Sequence, residues 1–256
     1  MIILKRPSEI KIMAEAGKRL ANVLNVLASE VRVGRATIEL EEISRRLIKE
    51  SGCEPAFLGY KPAGSKGAYP YCLCVSMNSV VVHGQPSTEY IVKDGDIIKL
   101  DLGIRLKGFY VDSAVTTSVG KISKTTRKLI ETTREALLKG IESAKVGNTT
   151  GDIGYAIEQC VKKNKFSIVE SLTGHGIGKS LHEEPAVFNF GKPGLGFELK
   201  AGMVIAIEPM VAIGSGKIQQ LNDESFATQD GSLSAHFEHT VSIEPSGPCI
   251  LTQMST

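Results

Sequence analysis

Three short segments recur in the same order in the two halves of the chain, and this repeat limits the fold more than any other feature of the sequence. In each half, two predicted helices precede two predicted strands, and each strand pair carries two acidic residues. Two related halves, neither of which covers its sheet alone, are expected to pack about a pseudo-two-fold axis. The pattern predicts an α+β fold with four carboxylates at one central face. The matching segments are residues 33–37 and 146–150, 93–101 and 200–208, and 110–115 and 236–241.

Apolar residues at three- and four-residue spacing predict two helices in each half. Ser8 is the expected N-cap of the first helix, and Thr37 is the expected N-cap of the second. Glycines at positions 34 and 52 are expected to follow the ends of these helices. In the second half, the expected helices run over about 125–144 and from near 150 onward.

The first predicted strand pair is a β-hairpin with one aspartate on each arm, Asp101 and Asp112. If the turn centres on Leu106-Lys107, the two aspartates lie directly opposite each other on one face of the sheet. Like charges in that position destabilise the sheet, so a basic side chain or a metal ion is expected between them. The alternative is a solvated hairpin with two surface aspartates.

Composition excludes several other classes of protein. The formal net charge is +2, and Lys and Arg are spread along the chain without a basic tail, so nothing argues for DNA binding. The cysteines are five in number with no pair of CxxC motifs, which favours a reducing compartment. No apolar run approaches the ~20 residues of a membrane span. We therefore expect a cytoplasmic protein without a membrane anchor.

The four acids of the repeat, together with one histidine, predict a metal centre. Asp101, Asp112, Glu208 and Glu238 would repel one another strongly if buried together, so the cluster implies one or two divalent cations. His175 stands between two glycines that would expose its imidazole. A set of oxygen ligands with one nitrogen suits Mn, Fe, Co or Zn, and two such ions are suited to metal-assisted hydrolysis. A lone histidine is more often structural, and that alternative stays open for His175.

The order Asp101, Asp112, His175, Glu208, Glu238, with the motifs at 174–178 and 182–185, resembles the type I methionine aminopeptidases, which have the pita-bread (creatinase/aminopeptidase) fold. The resemblance spans residues 8–241. It implies a single catalytic domain over 1–256, with pseudo-symmetric halves of roughly 1–120 and 121–256, each an antiparallel sheet covered by helices. It also implies two divalent ions (Co, Mn, Fe or Zn), of which Asp101 holds one bidentately. Asp112 and Glu238 would bridge them, and His175 and Glu208 would complete the other site.

The same resemblance implies an activity and its partners. The family removes the initiator methionine from nascent polypeptides, preferably before a small second residue, and a monomer with transient ribosome contact is expected. His83 would lie near the leaving amide nitrogen, and His182 would hydrogen-bond the scissile carbonyl. Glu208 would take a proton from the attacking water.

A methionine pocket is implied at six positions, three of which depart from the family pattern. Phe57 stands where Cys is frequent, Leu181 where Phe is usual, and Phe226 where Trp is common. An insertion at about 61–67 leaves the shape of the pocket open. Ordinary core or loop packing is the alternative for each aromatic residue. The six positions are Phe57, Tyr60, Tyr69, Cys74, Leu181 and Phe226.

Two other functions compete with this interpretation. Proline-specific peptidases of the same fold share the five ligands, but they usually carry a sizeable preceding domain. Pita-bread proteins that bind RNA or ribosomes without catalysis tend to lose ligands, and all five are present here. His236 and His239 are expected to be surface or packing residues.

Overall fold

In the computed structural model, which describes residues 2–61 and 64–253, four helices cover a curved antiparallel sheet. Apolar residues of the first helix, among them Leu20 and Leu24, are fully buried against the strands that carry the predicted hairpin. None of the helices in these residues is long and apolar enough to cross a bilayer. The helices are α1 (Pro7–Glu30), α2 (Thr37–Glu50), α3 (Lys124–Ser143) and α4 (Thr150–Lys163).

The strands form one large sheet and two small ones. They are β1 (Glu54–Pro55), β2 (Leu73–Met77), β3 (Val80–Val82), β4 (Ile97–Leu106), β5 (Phe109–Ser118), β6 (Ser167–Ile168), β7 (Thr173–Gly176), β8 (Glu183–Phe188), β9 (Val204–Ile207), β10 (Met210–Ala212), β11 (Ile218–Gln220), β12 (Phe226–Thr228), β13 (Ser234–His236), β14 (Glu238–Glu244) and β15 (Gly247–Ile250). The large sheet runs β1-β4-β5-β14-β9-β7-β8, with β2 paired to β4 and β15 to β14. All these pairings are antiparallel, so the α+β prediction is confirmed.

The two halves meet at the pairing of β5 with β14, where Ala114 lies opposite Glu238. On one side of this line β5 pairs with β4, and on the other β14 pairs with β9. Each half therefore contributes one strand pair to the centre of the sheet. The two acids of each half lie in or directly beside these strands.

The sequence repeat corresponds to a repeated backbone structure. Gly34 and Gly147 have positive φ values of 84° and 88°, and each lies just before the second helix of its half. The N–H of Gly34 donates to Val92 O at 2.9 Å, and that of Gly147 donates to Leu199 O at 3.0 Å. Glycine reaches this left-handed region without steric cost. The same turn thus joins the same elements in both halves.

The helix bounds differ from the predictions by about a residue. The first helix begins at Pro7, one residue before the predicted cap, because proline suits the first helical position. Thr37 is the first residue of α2 and not its cap. Its hydroxyl accepts from Ser87 N at 2.9 Å and donates to Ser87 O at 3.1 Å, so it is not available to the helix.

The predicted turn of the hairpin was wrong by one residue, so the pairing of the two arms was wrong by two. The turn is centred on Lys107 and Gly108, with φ values of 49° and 85°, and Gly103 lies opposite Asp112. Two positive φ values favour the tight turn that matches the twist of the strands. Asp101 lies opposite Ala114, so the two aspartates are diagonal neighbours. They remain on the same face, because side chains alternate along each strand.

Candidate metal centre and cleft

A cleft of about 640 Å³ opens over the line where the two halves meet. It is lined by every residue that the sequence singled out for a ligand, a catalytic or a pocket role. Residues that are far apart in the sequence therefore line the same cleft. They are Phe57, Tyr60, Tyr69, Cys74, His83, Asp101, Asp112, His175, Leu181, His182, Glu208, Phe226 and Glu238.

The four carboxylates lie at the floor of the cleft. Asp101 and Asp112 come from β4 and β5, Glu208 directly follows β9, and Glu238 is the first residue of β14. The exposed fractions of Asp112 and Glu238 are only 4% and 2%. The Thr240 hydroxyl accepts from Asp112 N at 2.9 Å and donates to Asp112 O at 2.8 Å. These bonds lock the backbones of β5 and β14 together beneath the site.

Burial and mutual repulsion shift the proton affinity of this cluster. Burial, followed by the charge of Asp112, holds the pKa of Asp101 well above its ordinary value. Burial raises the pKa of Asp112 to about 7, although its bond from Ser113 N works in the opposite direction. The pKa values of Glu208 and Glu238 are raised well above the usual range by burial and then by the neighbouring carboxylates. Four carboxylates in one place require compensating positive charge.

The donor atoms fit divalent cations. Asp101 Oδ1 and Glu238 Oε1 are buried and have no hydrogen-bond partner within the described part of the chain. Donor atoms of Asp112, His175 and Glu238 lie within 4.8 Å of one another, and so do those of Glu208, His236 and Glu238. Glu238 thus belongs to both groups, and Asp101 belongs to neither. Buried, unpaired oxygen atoms of this kind are what a hard or borderline cation binds.

His175 presents a free lone pair to this cluster. Its Nδ1 lies 2.9 Å from the carbonyl oxygen of Gly176, which can only accept, so Nδ1 carries the proton. Burial lowers the pKa of His175 to about 3. The unprotonated Nε2 lies 3.6 Å from Glu208 Oε1. Two donors that share one cation, each about 2 Å from it, lie roughly this far apart.

The glycine before His175 is required by close packing of the backbone. A Cβ at Gly174 would lie 2.3 Å from the carbonyl oxygen of Ala206 in β9. Gly174→Ala is expected to lower the free energy of unfolding by roughly 1–3 kcal/mol, since overpacking forces backbone shifts. Urea denaturation would measure this loss. Gly67→Ala is the matched control, because a Cβ there meets nothing within 4 Å; equal stability of the two variants would contradict the prediction.

His83 and His182 flank the mouth of the cleft, where both are exposed. His182 Nδ1 lies 2.6 Å from the Tyr60 hydroxyl, a contact that the sequence did not indicate. The His182 ring also meets the His175 ring edge-on, with centroids 4.3 Å apart. His83 has a positive φ of 60°, which is uncommon outside glycine, and its ring lies against Phe226. The two histidines therefore face the space above the carboxylates.

The predicted pocket residues form the apolar side of the cleft. Phe57, Cys74 and Leu181 are buried. The Tyr69 hydroxyl donates to the carbonyl oxygens of Leu73 and Gly84, both at 3.1 Å, which fixes the ring in place. Of the insertion at 61–67, residues 62 and 63 lie outside the described residues. Gly64, Ser65 and Gly67 line the cleft, so the insertion contributes to its wall.

His236 is buried, which leaves packing as the one of its two expected roles that the structure allows. Its exposed fraction is 1%, and its Nε2 lies 3.5 Å from Glu208 Oε2. It is therefore not a surface residue, and it stands beside the ligand cluster. The sequence feature that could have indicated this location is the position of His236 two residues before Glu238. Alternate residues of an extended chain share a face, so the two side chains are expected to lie close together. His239 points elsewhere, with Nδ1 2.9 Å from Thr252 Oγ1.

Comparisons with known proteins agree over almost the whole chain. The chain is 48% identical to the methionine aminopeptidase of Clostridium perfringens over 253 residues, which covers 98% of this chain and 99% of that protein. It is 44% identical to methionine aminopeptidase 1 of Bacillus subtilis over 255 residues, with 99% and 100% covered. The crystal structure of the methionine aminopeptidase from Thermotoga maritima superimposes with a TM-score of 0.95 at 40% identity, and covers 99% of this chain and 100% of that chain.

The proline-peptidase relatives share the fold alone. The prolidase from Pyrococcus furiosus has a TM-score of 0.79 at 24% identity, and the match covers 99% of this chain but 66% of that one. The pita-bread prediction is confirmed by these structures. The sequence model described as metallopeptidase family M24 matches residues 11–245. From this match and the full-length relatives, the chain belongs to metallopeptidase family M24.

Proposed function

We propose that this protein is a metal-dependent aminopeptidase that removes the N-terminal methionine from nascent polypeptides, preferring a small second residue. One observation carries the proposal most: the buried carboxylates and His175 lie at the floor of a cleft whose side wall is apolar. This combination suits hydrolysis of a bond next to an apolar side chain. The relatives that match the full length of the chain bear the same activity in their names.

The proposed cofactor is a pair of divalent ions (Co, Mn, Fe or Zn) held by Asp101, Asp112, His175, Glu208 and Glu238. When bound, such ions supply Lewis acidity, which polarises a carbonyl group and makes water a better nucleophile at neutral pH. Burial of the carboxylates excludes bulk water and raises the strength of every charge interaction at the floor of the cleft.

The remaining polar residues would handle protons and the developing charge. Glu208, whose side chain is 12% exposed, is the proposed acceptor of the proton from the attacking water. His182 would donate from Nε2 to the oxyanion that develops at the scissile carbonyl. The Tyr60 hydroxyl, 2.6 Å from Nδ1, would support this role by donating to Nδ1, which places the imidazole proton on Nε2. His83 would face the leaving amide nitrogen.

Phe57, Tyr60, Tyr69, Cys74, Leu181 and Phe226 are the proposed methionine pocket. An unbranched thioether side chain adapts to irregular apolar walls and contacts aromatic rings favourably. His83 packs against Phe226 of this pocket, with ring centroids 5.9 Å apart, and both residues line the cleft wall. A bulky second residue would meet this wall, which supports the preference for a small one.

Tyr60→Phe is expected to lower kcat by about two- to tenfold, which corresponds to the free energy of one hydrogen bond. The amount of bound metal is expected to stay unchanged. The variant keeps the ring in the pocket but loses the hydroxyl that fixes His182. Steady-state kinetics on a methionyl tripeptide, with metal content measured in parallel, would check this. Tyr155→Phe, an exposed tyrosine on α4, is the control. Unchanged kcat in the Tyr60 variant would contradict the prediction.

The function itself is tested with paired peptides. Protein stripped of metal by a chelator would be assayed on Met-Ala-Ser and Leu-Ala-Ser before and after addition of Mn, Co, Fe or Zn. Release of methionine but not leucine, returning with metal, is the expected result. Inactivity with every ion, in a folded protein, would contradict the proposal.

The cellular location, oligomeric state and ribosome contact of the protein are also part of the proposal. The chain would act in the cytoplasm as a monomer, in a single catalytic domain over 1–256, with transient contact to the ribosome where its substrates emerge. Co-sedimentation with ribosomes at several salt concentrations would measure that contact, since an electrostatic association weakens steeply with salt.

A further inference from the structure

A buried histidine next to the carboxylates has no role in the proposed ligand set. His236 ends β13, and its exposed fraction is 1%. Neither of its ring nitrogens has a hydrogen-bond partner among the residues that the structure describes. Leaving buried polar groups unpaired costs free energy, so such a group calls for an explanation.

The explanation lies in the surroundings of Glu208. Its carboxylate stands between two imidazoles, with Oε1 3.6 Å from His175 Nε2 and Oε2 3.5 Å from His236 Nε2. His175 Nε2 bears a lone pair, because Nδ1 donates to Gly176 O. A lone pair and the oxygen of an ionised carboxylate attract each other only through a cation between them. The Oε1 side of an ionised Glu208 is therefore the side that would face a metal ion.

The Oε2 side faces a different kind of group. Within residues 2–61 and 64–253, His236 has no acceptor that fixes its proton elsewhere, so its Nε2 can carry an N–H toward Glu208. Its backbone is held firmly, since His236 N donates to Thr116 Oγ1 at 2.9 Å and Thr116 Oγ1 donates to His236 O at 2.6 Å. The backbone of Glu208 is held as well, by Asn189 Nδ2 at 3.0 Å from its carbonyl oxygen.

We propose that His236 is a positioning residue that donates an Nε2–H hydrogen bond to Glu208 Oε2 and so fixes the rotation of a carboxylate that would hold metal. The inference rests on the proposed metal-dependent function. Carboxylate ligands in metal sites are commonly held by such outer hydrogen bonds, whose loss lowers metal affinity. Direct ligation of metal by His236 is the competing role, because its donor atom lies within 4.8 Å of those of Glu208 and Glu238.

Calorimetric titration of the metal-free protein with Mn²⁺ is the first test. His236→Leu removes the donor and is expected to weaken the affected site by about 10- to 100-fold. His236→Gln keeps an N–H donor and is expected to stay within about threefold of the unaltered protein, a rescue that a merely structural role does not predict. His239→Gln is the matched control, because that ring contacts Thr252 and not the carboxylates. Thermal melting of each metal-free variant verifies folding.

Pulsed EPR of the Mn²⁺-loaded protein is the second readout. A single coordinated imidazole nitrogen is expected, lost in His175→Ala and retained in His236→Gln. Loss of nitrogen coupling in His236→Gln would overturn the inference in favour of direct ligation. Unchanged affinity in His236→Leu would overturn it while leaving the proposed function intact. Absence of Mn²⁺ binding in the unaltered protein would instead overturn the proposed function, and the inference with it.

Discussion

His175→Ala is expected to lower kcat/KM for a methionyl peptide by at least about a thousandfold, because the Lewis acidity of a bound ion is worth several kcal/mol. His175 Nε2 is the lone pair that faces Glu208 Oε1, and alanine leaves that position without a donor. Bound metal should fall together with activity. Kinetics and metal analysis on the same preparation would measure both.

Two comparisons make this result specific to the site. His239→Ala removes an imidazole of β14 that contacts Thr252, and it is expected to keep both metal and activity. Restoring metal after chelation should recover the unaltered protein but not the His175 variant. Full activity in a metal-free His175→Ala protein would refute the proposed mechanism.

The metal-free protein is expected to lose stability as the pH rises, and divalent metal to restore it. Burial raises the pKa of Asp112 from 3.8 to about 7. Between these values the folded chain holds a proton that the unfolded chain releases, so the stability present at low pH is lost as the pH rises through about 7. Asp101, Glu208 and Glu238, whose pKa values are also raised, act in the same direction.

Metal should oppose this loss by binding only the folded chain. At a thousandfold excess over Kd it adds about 4 kcal/mol, or roughly 8–16 °C in Tm for a chain of this size. Calorimetric melting at pH 5 and pH 7.5, with and without Mn²⁺, would measure the effect, which should be larger at pH 7.5.

Asp101→Asn tests directly whether repulsion among the carboxylates destabilises the metal-free protein. Removing one of the repelling carboxylates should raise the Tm of the metal-free protein at pH 7.5 and reduce the gain from Mn²⁺. Glu142→Gln, on the exposed surface of α3, should change neither quantity. A metal-free Asp101→Asn protein that melts below the unaltered one would show that repulsion does not dominate at this site.

The sequence was informative where a residue's role depended on pattern and uninformative where it depended on local geometry. Asp101, Asp112, Glu208 and Glu238 recur at matching places in the repeat, so their meeting in one cleft could be predicted. The register of the hairpin could not be predicted, because it depends on Lys107 adopting a positive φ beside Gly108.

Contacts between distant segments were beyond the reach of pattern as well. For His236 the only signal was its position two residues before Glu238, which places both side chains on one face but does not show which residue of another segment they meet. Tyr60 was assigned to the pocket by resemblance, whereas its hydrogen bond to His182 joins two loops far apart in the chain. Such contacts follow from tertiary structure and leave no trace in local spacing.

The position of β14 determines when the site can exist during synthesis. This strand joins the two halves by pairing with both β5 and β9, yet it is the last of the site-bearing strands to leave the ribosome. Until it emerges, the hairpin that carries Asp101 and Asp112 lacks its neighbour in the sheet. Pairing between strands so distant in sequence is slow, because a long loop must close before any contact forms. Assembly of the four carboxylates therefore waits for the last of the strands that carry them.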